Sequence, residues 1–386
     1  MFQKLKLSFL TKLYLQQFFY SFIPLLAFDA LFYADSGMSA SAVGIITVVA
    51  IVVGIIFEVP SGLVADKYSR KYVIIASNSC TILSWIIWFF NKDFTAFVIG
   101  ACLMGLAISL RSGTYDAFIY DELKAIKREK DFLKVRGRLS FLCFFAITIA
   151  SVLASFLIKY GYNVVLFFGL CSSIFSTIIL WSIKDVKRSK EIKQSNYFGI
   201  LKDGVSVCFQ NKELLKVLFI FAFIFSSMNG LYKYIQLLFK DVGFVQSDIA
   251  WIMAVLSLCS GVARLNVYKI KKLSLKQINY IYLVIAICFV IVSLIFSKNV
   301  ILFLVLLFAV QRGMWLYLNG FIQKHIESKI RATVVSVMSF SMSCIGVAVV
   351  LGFGFIADLF SYQIAFCTLG IFLFIITLVG RLVVFR

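Results

Sequence analysis

Six ionisable residues interrupt otherwise apolar runs: Asp29, Glu58, Arg111, Asp116, Lys233 and Arg312. A charge in hydrocarbon is costly, so it is kept where it pairs, faces a polar cavity or meets a solute. The chemistry open to this set is ion pairing that breaks and re-forms, recognition of a charged group, and carriage of a proton. A second constellation is Gly62-Leu-Val-Ala-Asp66-Lys-Tyr-Ser-Arg70-Lys71, at the join of two apolar runs. Glu58, Gly62 and Asp66 lie at i, i+4 and i+8, on one stripe of a helix. Gly62 there would admit a closely approaching helix. Asp66 would meet the positive N-terminal end of a neighbouring helix. Arg70 and Lys71 are expected to stay in cytoplasmic water near Asp121 and Glu122, completing a clasp that holds that side shut.

The depths of the charges follow from a helical rise of 1.5 Å per residue. Asp29 and Lys233 both fall roughly 9 Å outside their span centres and are expected to pair as an outer gate. Glu58 and Arg111 both fall about 6 Å inside centre, a depth that allows them to pair. Arg312 sits near the midplane and is the expected contact for an anionic group. Burial raises a carboxylate pKa and a nearby cation lowers it, so Glu58 or Asp29 could carry a proton if pairing changes between states. Asp116 lies closer to cytoplasmic water. The alternative for each charge is a satisfied helix–helix contact.

These residues are positioned by long apolar elements. The chain is 62% hydrophobic and holds two prolines, Pro24 and Pro60. Twelve runs are long enough to cross about 30 Å of hydrocarbon: 13–33, 42–66, 72–90, 94–120, 138–159, 162–183, 215–239, 247–268, 274–297, 299–325, 332–357 and 361–380. In lipid every backbone group must be bonded internally, which makes these runs helices. The ten-residue alternating strands of a barrel are absent. The first run is too long for a cleaved leader and lacks a small-residue cleavage site. The fold class is therefore an all-α integral membrane protein of twelve transmembrane helices. Five of the six charges fall on the first and fourth spans of the two halves, as expected of helices that line a central cavity.

The net charge of +20 does not point to nucleic acid, because it is distributed by side. With the N-terminus inside, 31 of the 38 Lys and Arg residues lie in cytoplasmic segments. This bias places both termini in the cytoplasm of a plasma-membrane protein. The nine cysteines form no CxxC pair and read as small packing residues. The single histidine, His325, cannot build a metal site, and no cofactor is implied. There is no GxxxxGK[ST] loop for nucleotide. Nor is there a clustered nucleophile and base, so an enzyme is not expected.

Residues 184–214 form the strongest shift in composition, a basic linker between an N-terminal six-helix bundle (1–183) and a C-terminal one (215–386). Phe198, Leu201, Val205 and Phe209 are spaced for a short amphipathic helix in the inner interface; a plain linker is the alternative. The halves look duplicated. Gly161-Tyr and Ser361-Tyr open the sixth and twelfth spans, and Ser61-Gly62 and Ser260-Gly261 recur at nearly the same offset. Six-plus-six repeats are common in secondary transporters.

In these residues the chain resembles the major facilitator superfamily. Gly62, Asp66, Arg70 and Lys71 match its G-x-x-x-D-x-x-G-R-K signature between spans 2 and 3, with Ser69 in place of the second glycine. Glu58-Val-Pro-Ser-Gly, Ser112-Gly113-Thr-Tyr-Asp116, Arg312-Gly313 and Arg331-Ala-Thr-Val-Val-Ser336 look like segments of bacterial efflux-type members. The resemblance implies two six-helix bundles and alternating access. It also implies that Asp66 meets the start of span 11 near Arg331–Thr333, and that Arg70 meets Asp121. Span 5, 139–158, has neither the Gly nor the Pro of drug/proton antiporters. The expected activity is proton-coupled efflux of a small amphipathic molecule by a monomer in the lipid bilayer. Uptake or lipid flipping by the same fold, and a non-transporting sensor, are the alternatives.

Overall fold

The computed structural model describes residues 2–184, 212–266, 273–325 and 331–383. The linker helix expected within 184–214 and Cys208 lie outside the described residues, as does the side chain of His325. Every regular element described is helical: α1 (Phe2–Ser21), α2 (Asp29–Asp35), α3 (Ala40–Lys67), α4 (Arg70–Phe90), α5 (Phe94–Arg111), α6 (Thr114–Ala125), α7 (Phe132–Leu157), α8 (Tyr162–Trp181), α9 (Lys212–Asp241), α10 (Gln246–Asn266), α11 (Leu275–Ile295), α12 (Lys298–Ile301), α13 (Phe303–His325), α14 (Arg331–Leu359) and α15 (Tyr362–Val383). Short 3₁₀ turns occupy Pro24–Ala27, Glu129–Asp131 and Ile158–Tyr160. Among the described residues, nine helical segments are long and apolar enough to cross a membrane. Of the twelve spans expected, the first and fourth are interrupted, the eighth is described to residue 266, and some side chains of the seventh, tenth and eleventh lie outside the described residues.

Two interruptions differ from the continuous spans expected. The first run breaks between α1 and α2. Pro24 has no N–H to donate and forces the preceding residue out of the helical region; Ile23 is extended, at φ −120° and ψ 91°. Asp29 consequently starts a new helix, and its Oδ1 accepts from the Ala30 N–H at 2.9 Å. The fourth run breaks between α5 and α6, where Gly113 takes φ +66°. A side chain there would be strained in that left-handed conformation. By contrast α3 runs unbroken through Pro60, with the Ser61 hydroxyl donating to Glu58 O at 3.0 Å.

The described residues form two compact units. The first draws on Met1–Ser36, Val49–Gln194 and Gln246–Leu258; the second draws on Gly37–Val48, Ser195–Val245 and Cys259–Arg386. In the first, α4 packs on α5 and α8, and α1 on α7 and α8. In the second, α9 packs on α14 and α15, and α11 on α15. Because lipid is as apolar as leucine, such helices associate through small residues, close contact and hydrogen bonds. The α4–α5 seam has this character. Ser77 and Ser84 donate to the carbonyls of Ala107 (2.7 Å) and Gly100 (3.0 Å), and the Trp88 indole donates to Ala96 O (3.2 Å). A Cβ at Gly100 would overlap the Trp88 ring, and one at Gly105 would meet Ala50 O of α3.

The close approach expected at Gly62 lies elsewhere. Among the described residues nothing is within 4 Å of where its Cβ would be. Helix α3 instead meets α5 near Gly105 and Gly54, a turn or more away along its length. Replacing Gly100 with valine is expected to cost about 1–3 kcal/mol by overpacking, read as a lower unfolding midpoint of the purified protein. Gly62→Ala, which meets open space, is expected to leave that midpoint unchanged.

Candidate functional site

The break after α5 organises the charged residues of the first unit. Arg111 is the last residue of α5, where the helix dipole favours a cation. Its guanidinium lies between two aromatic rings, 3.5 Å from the centroid of Tyr20 and 3.8 Å from that of Tyr115. Contacts of this kind contribute about 0.5–2 kcal/mol. One edge donates from Nη2 to Gln17 Oε1 at 3.2 Å, while Nη1 is buried without a hydrogen-bond acceptor.

Tyr115 and Gln17, two members of the cage around it, are anchored by further hydrogen bonds. Tyr115 donates to Gln16 Oε1 (2.9 Å), Gln16 Nε2 to Ser176 Oγ (3.0 Å), and Gln17 Nε2 to Ser21 Oγ (2.8 Å). Asn78 reaches Thr177 at 3.2 Å. Polar side chains of α1, α4, α6 and α8 thus form one network within a single unit.

The expected partnership of Glu58 with Arg111 is not formed. Glu58 Oε1 accepts from the Ser112 hydroxyl at 3.1 Å and is exposed. Asp116, in the first turn of α6, pairs with Arg136 of α7 at 2.6 Å. That partner follows from the turn at Glu129–Asp131, which brings α7 back beside α6. In the second unit Arg312 lies 4.6 Å from the centroid of the Tyr232 ring, on α9, where Lys233 is the next residue. Asp29 belongs to the first unit and Lys233 to the second.

The signature stretch divides its work among separate partners. Arg70, at the start of α4, donates from Nη1 to Asp121 Oδ2 (2.7 Å) and Ala117 O (2.9 Å) of α6. Their side chains keep 21% and 29% of their exposure, so the pair is screened and contributes only about 1 kcal/mol. Lys71 is not in water, as expected from the sequence, but 5% exposed. Its ammonium donates to Trp181 O (2.8 Å) and to Ile183 O, at the C-terminal end of α8. Those carbonyls lack intrahelical donors and carry the negative end of the dipole, which suits a cation. Asp66 is exposed, and the side chains of Arg331–Thr333 lie outside the described residues.

Three further polar groupings lie away from the signature stretch, where charge placement alone did not point. Asp358 of α14 caps α3: Oδ1 accepts from Ala40 N at 2.8 Å and Oδ2 from Ser41 N at 2.9 Å. A carboxylate on two free N–H groups of a helix start is favoured by both hydrogen bonding and the dipole. Beside it Tyr234 donates to Val350 O at 3.0 Å, and Gly44 and Gly354 leave room for its hydroxyl. In the first unit Asp35 accepts from Tyr162 and from Gln246, both at 2.6 Å. Gln16, Gln17 and Asn78 in apolar runs, and the acids at span ends, were the available sequence signals for these networks.

Comparison with known proteins agrees with this architecture. The family model described as Major Facilitator Superfamily matches residues 13–351. A curated relative, the "Uncharacterized MFS-type transporter YxaM" of Bacillus subtilis (strain 168), is 24% identical over 220 residues, covering 55% of this chain and 53% of the relative. The chain thus spans about half the length of the curated relative it matches. Among solved structures, the nucleoside transporter NupG superposes with TM-score 0.75 at 16% identity, covering 99% of both chains. A D-xylose-proton symporter gives 0.74 at 12% identity, covering 97% of this chain and 96% of that one. A bacterial homolog of the human lysosomal transporter Spinster, inward-facing and unoccupied, gives 0.76 at 12%, covering 99% and 96%. At these identities the likeness is one of fold.

The contacts separate in mutational tests. Lys71→Ala is expected to destabilise by about 1–2 kcal/mol, since the last carbonyls of α8 lose their cation. A double-mutant cycle of Arg70→Ala and Asp121→Ala is expected to give a coupling of about 0.5–1 kcal/mol. Both are read by reversible unfolding of the purified protein.

Proposed function

The chain belongs to the major facilitator superfamily, and on that premise we propose that it is a secondary active transporter of the plasma membrane. It moves a small amphipathic or drug-like molecule by alternating access of two six-helix bundles, with both termini cytoplasmic. Proton-coupled efflux is the reading we favour. The observation that carries alternating access is the kind of contact found at the two ends of α3. Arg70 with Asp121, beyond the Lys67 end, and Asp358 on the amides of Ala40 and Ser41 are exposed or half-exposed polar contacts, not packed apolar seams. Contacts of this type exchange with water at little net cost; each lies within one unit, and they suit helix ends that shift during a cycle without breaking an apolar seam.

In this reading Gly62, Asp66, Arg70, Lys71 and Asp121 form the cytoplasmic gate. Asp29 and Lys233 pair when the opposite side closes. Arg111, Arg312, Glu58 and Asp116 are the transport and coupling residues. Glu58 is the preferred proton carrier, because its present partner is a neutral hydroxyl. The similarity in fold to a D-xylose-proton symporter supports uptake as the second reading, with the same gates and the opposite direction of net movement.

In proteoliposomes, transport of an amphipathic dye is expected to rise several-fold when a pH gradient is imposed and to collapse with a protonophore. Equal rates with and without the gradient would remove proton coupling while leaving transport itself. Asp66→Asn is expected to abolish transport while the protein still inserts and purifies normally.

A further inference from the structure

We propose that Arg111 is the recognition site for an oxyanion, a carboxylate or phosphate carried by the transported molecule; this rests on the transporter reading above. The anionic contact expected from the sequence was Arg312. The geometry points to Arg111 instead. Three other arginines of the first unit have carboxylate partners: Arg70 with Asp121, Arg128 with Asp131, and Arg136 with Asp116. Arg111 has an amide, two aromatic faces, and one nitrogen without any acceptor among the described residues.

The surroundings hold the guanidinium charged without neutralising it. The carbonyl end of α5 and the electron-rich faces of Tyr20 and Tyr115 supply partial negative charge. They do not supply a counter-ion. With both faces covered, only the edge of the planar group remains for binding. That edge presents parallel N–H groups in the fork that matches two oxygens of a carboxylate or phosphate. Gln17 fixes one side of the fork, while Tyr115 is anchored through Gln16 and Ser176. The group is therefore pre-organised, and little rotamer freedom is lost when an anion arrives. The nearest acid in the sequence pattern, Glu58, accepts from Ser112 and so gives the buried Nη1 no carboxylate. An arriving oxyanion supplies the missing acceptor and the missing charge together. A lysine could stack on neither ring as a plane nor offer the fork.

The test uses the full chain in lipid nanodiscs, with benzoate and phenyl phosphate as probes and benzamide and benzylamine as neutral and cationic controls. Saturable thermal stabilisation is expected for one or both anions and for neither control. Arg111→Gln and Arg111→Lys are expected to weaken the response by at least roughly tenfold. In the unaltered protein, phenylglyoxal labelling of Arg111, followed by mass spectrometry, is expected to slow with the anion and not with benzamide. That arm decides the matter even where a variant does not fold. Equal stabilisation by anions and controls, an undiminished response in Arg111→Gln, or labelling that no anion slows would overturn the proposal. Vesicle transport separates it from its premise. Arg111-dependent binding without movement of any probe would remove the transporter reading and keep the site. Movement of neutral and cationic probes, equal in Arg111→Gln, would do the reverse.

Discussion

A charge that leaves water must find its compensation inside the protein, and the described part of this chain is arranged around that constraint. The solutions differ by residue. Arg70 and Arg136 reach carboxylates on neighbouring helices. Lys71 is threaded onto the carbonyl end of α8. Asp358 sits on the amide end of α3. Arg111 is held between rings and an amide. Helix ends serve as counter-charges in three of these cases, because the backbone there has groups with no internal partner.

The helix breaks belong to the same scheme. Pro24 ends α1, and Gly113 ends α5 and starts α6. Each break places helix termini inside the unit, where uninterrupted spans would offer only side chains. Irregular backbone at such a depth is tolerated where protein or water covers it. The Arg111 cage draws Tyr20 and Ser21 from the end of α1, Arg111 from the end of α5, and Tyr115 from the start of α6. Removing either break would carry these residues to different faces.

Much was legible beforehand. Apolar runs mark the helices because backbone in lipid has no alternative, and most helix bounds fall within a few residues of those runs. The signature stretch named the Arg70–Asp121 pair, and the list of intramembrane charges included Arg111. Other parts were read differently. Lys71 looked solvated because its neighbours in sequence are charged, yet its partners lie about 110 residues away on α8. Gly62 looked like a packing glycine, but the crossing of α3 with α5 is at Gly54 and Gly105. Depth along a helix suggested Glu58 with Arg111; depth fixes height but not the direction in which a side chain leaves its helix.

The sequence by itself determined the class of the protein, its helices and the superfamily to which it belongs. These depend on composition, periodicity and local motif, all properties of contiguous residues. Only the tertiary structure decided who compensates whom: Asp116 with Arg136, Lys71 with α8, Asp358 with the start of α3, and Arg111 with Tyr20, Tyr115 and Gln17. Such pairings depend on helix rotation and on where helices end. Both are set by packing between segments far apart in the chain, so no stretch of residues contains them.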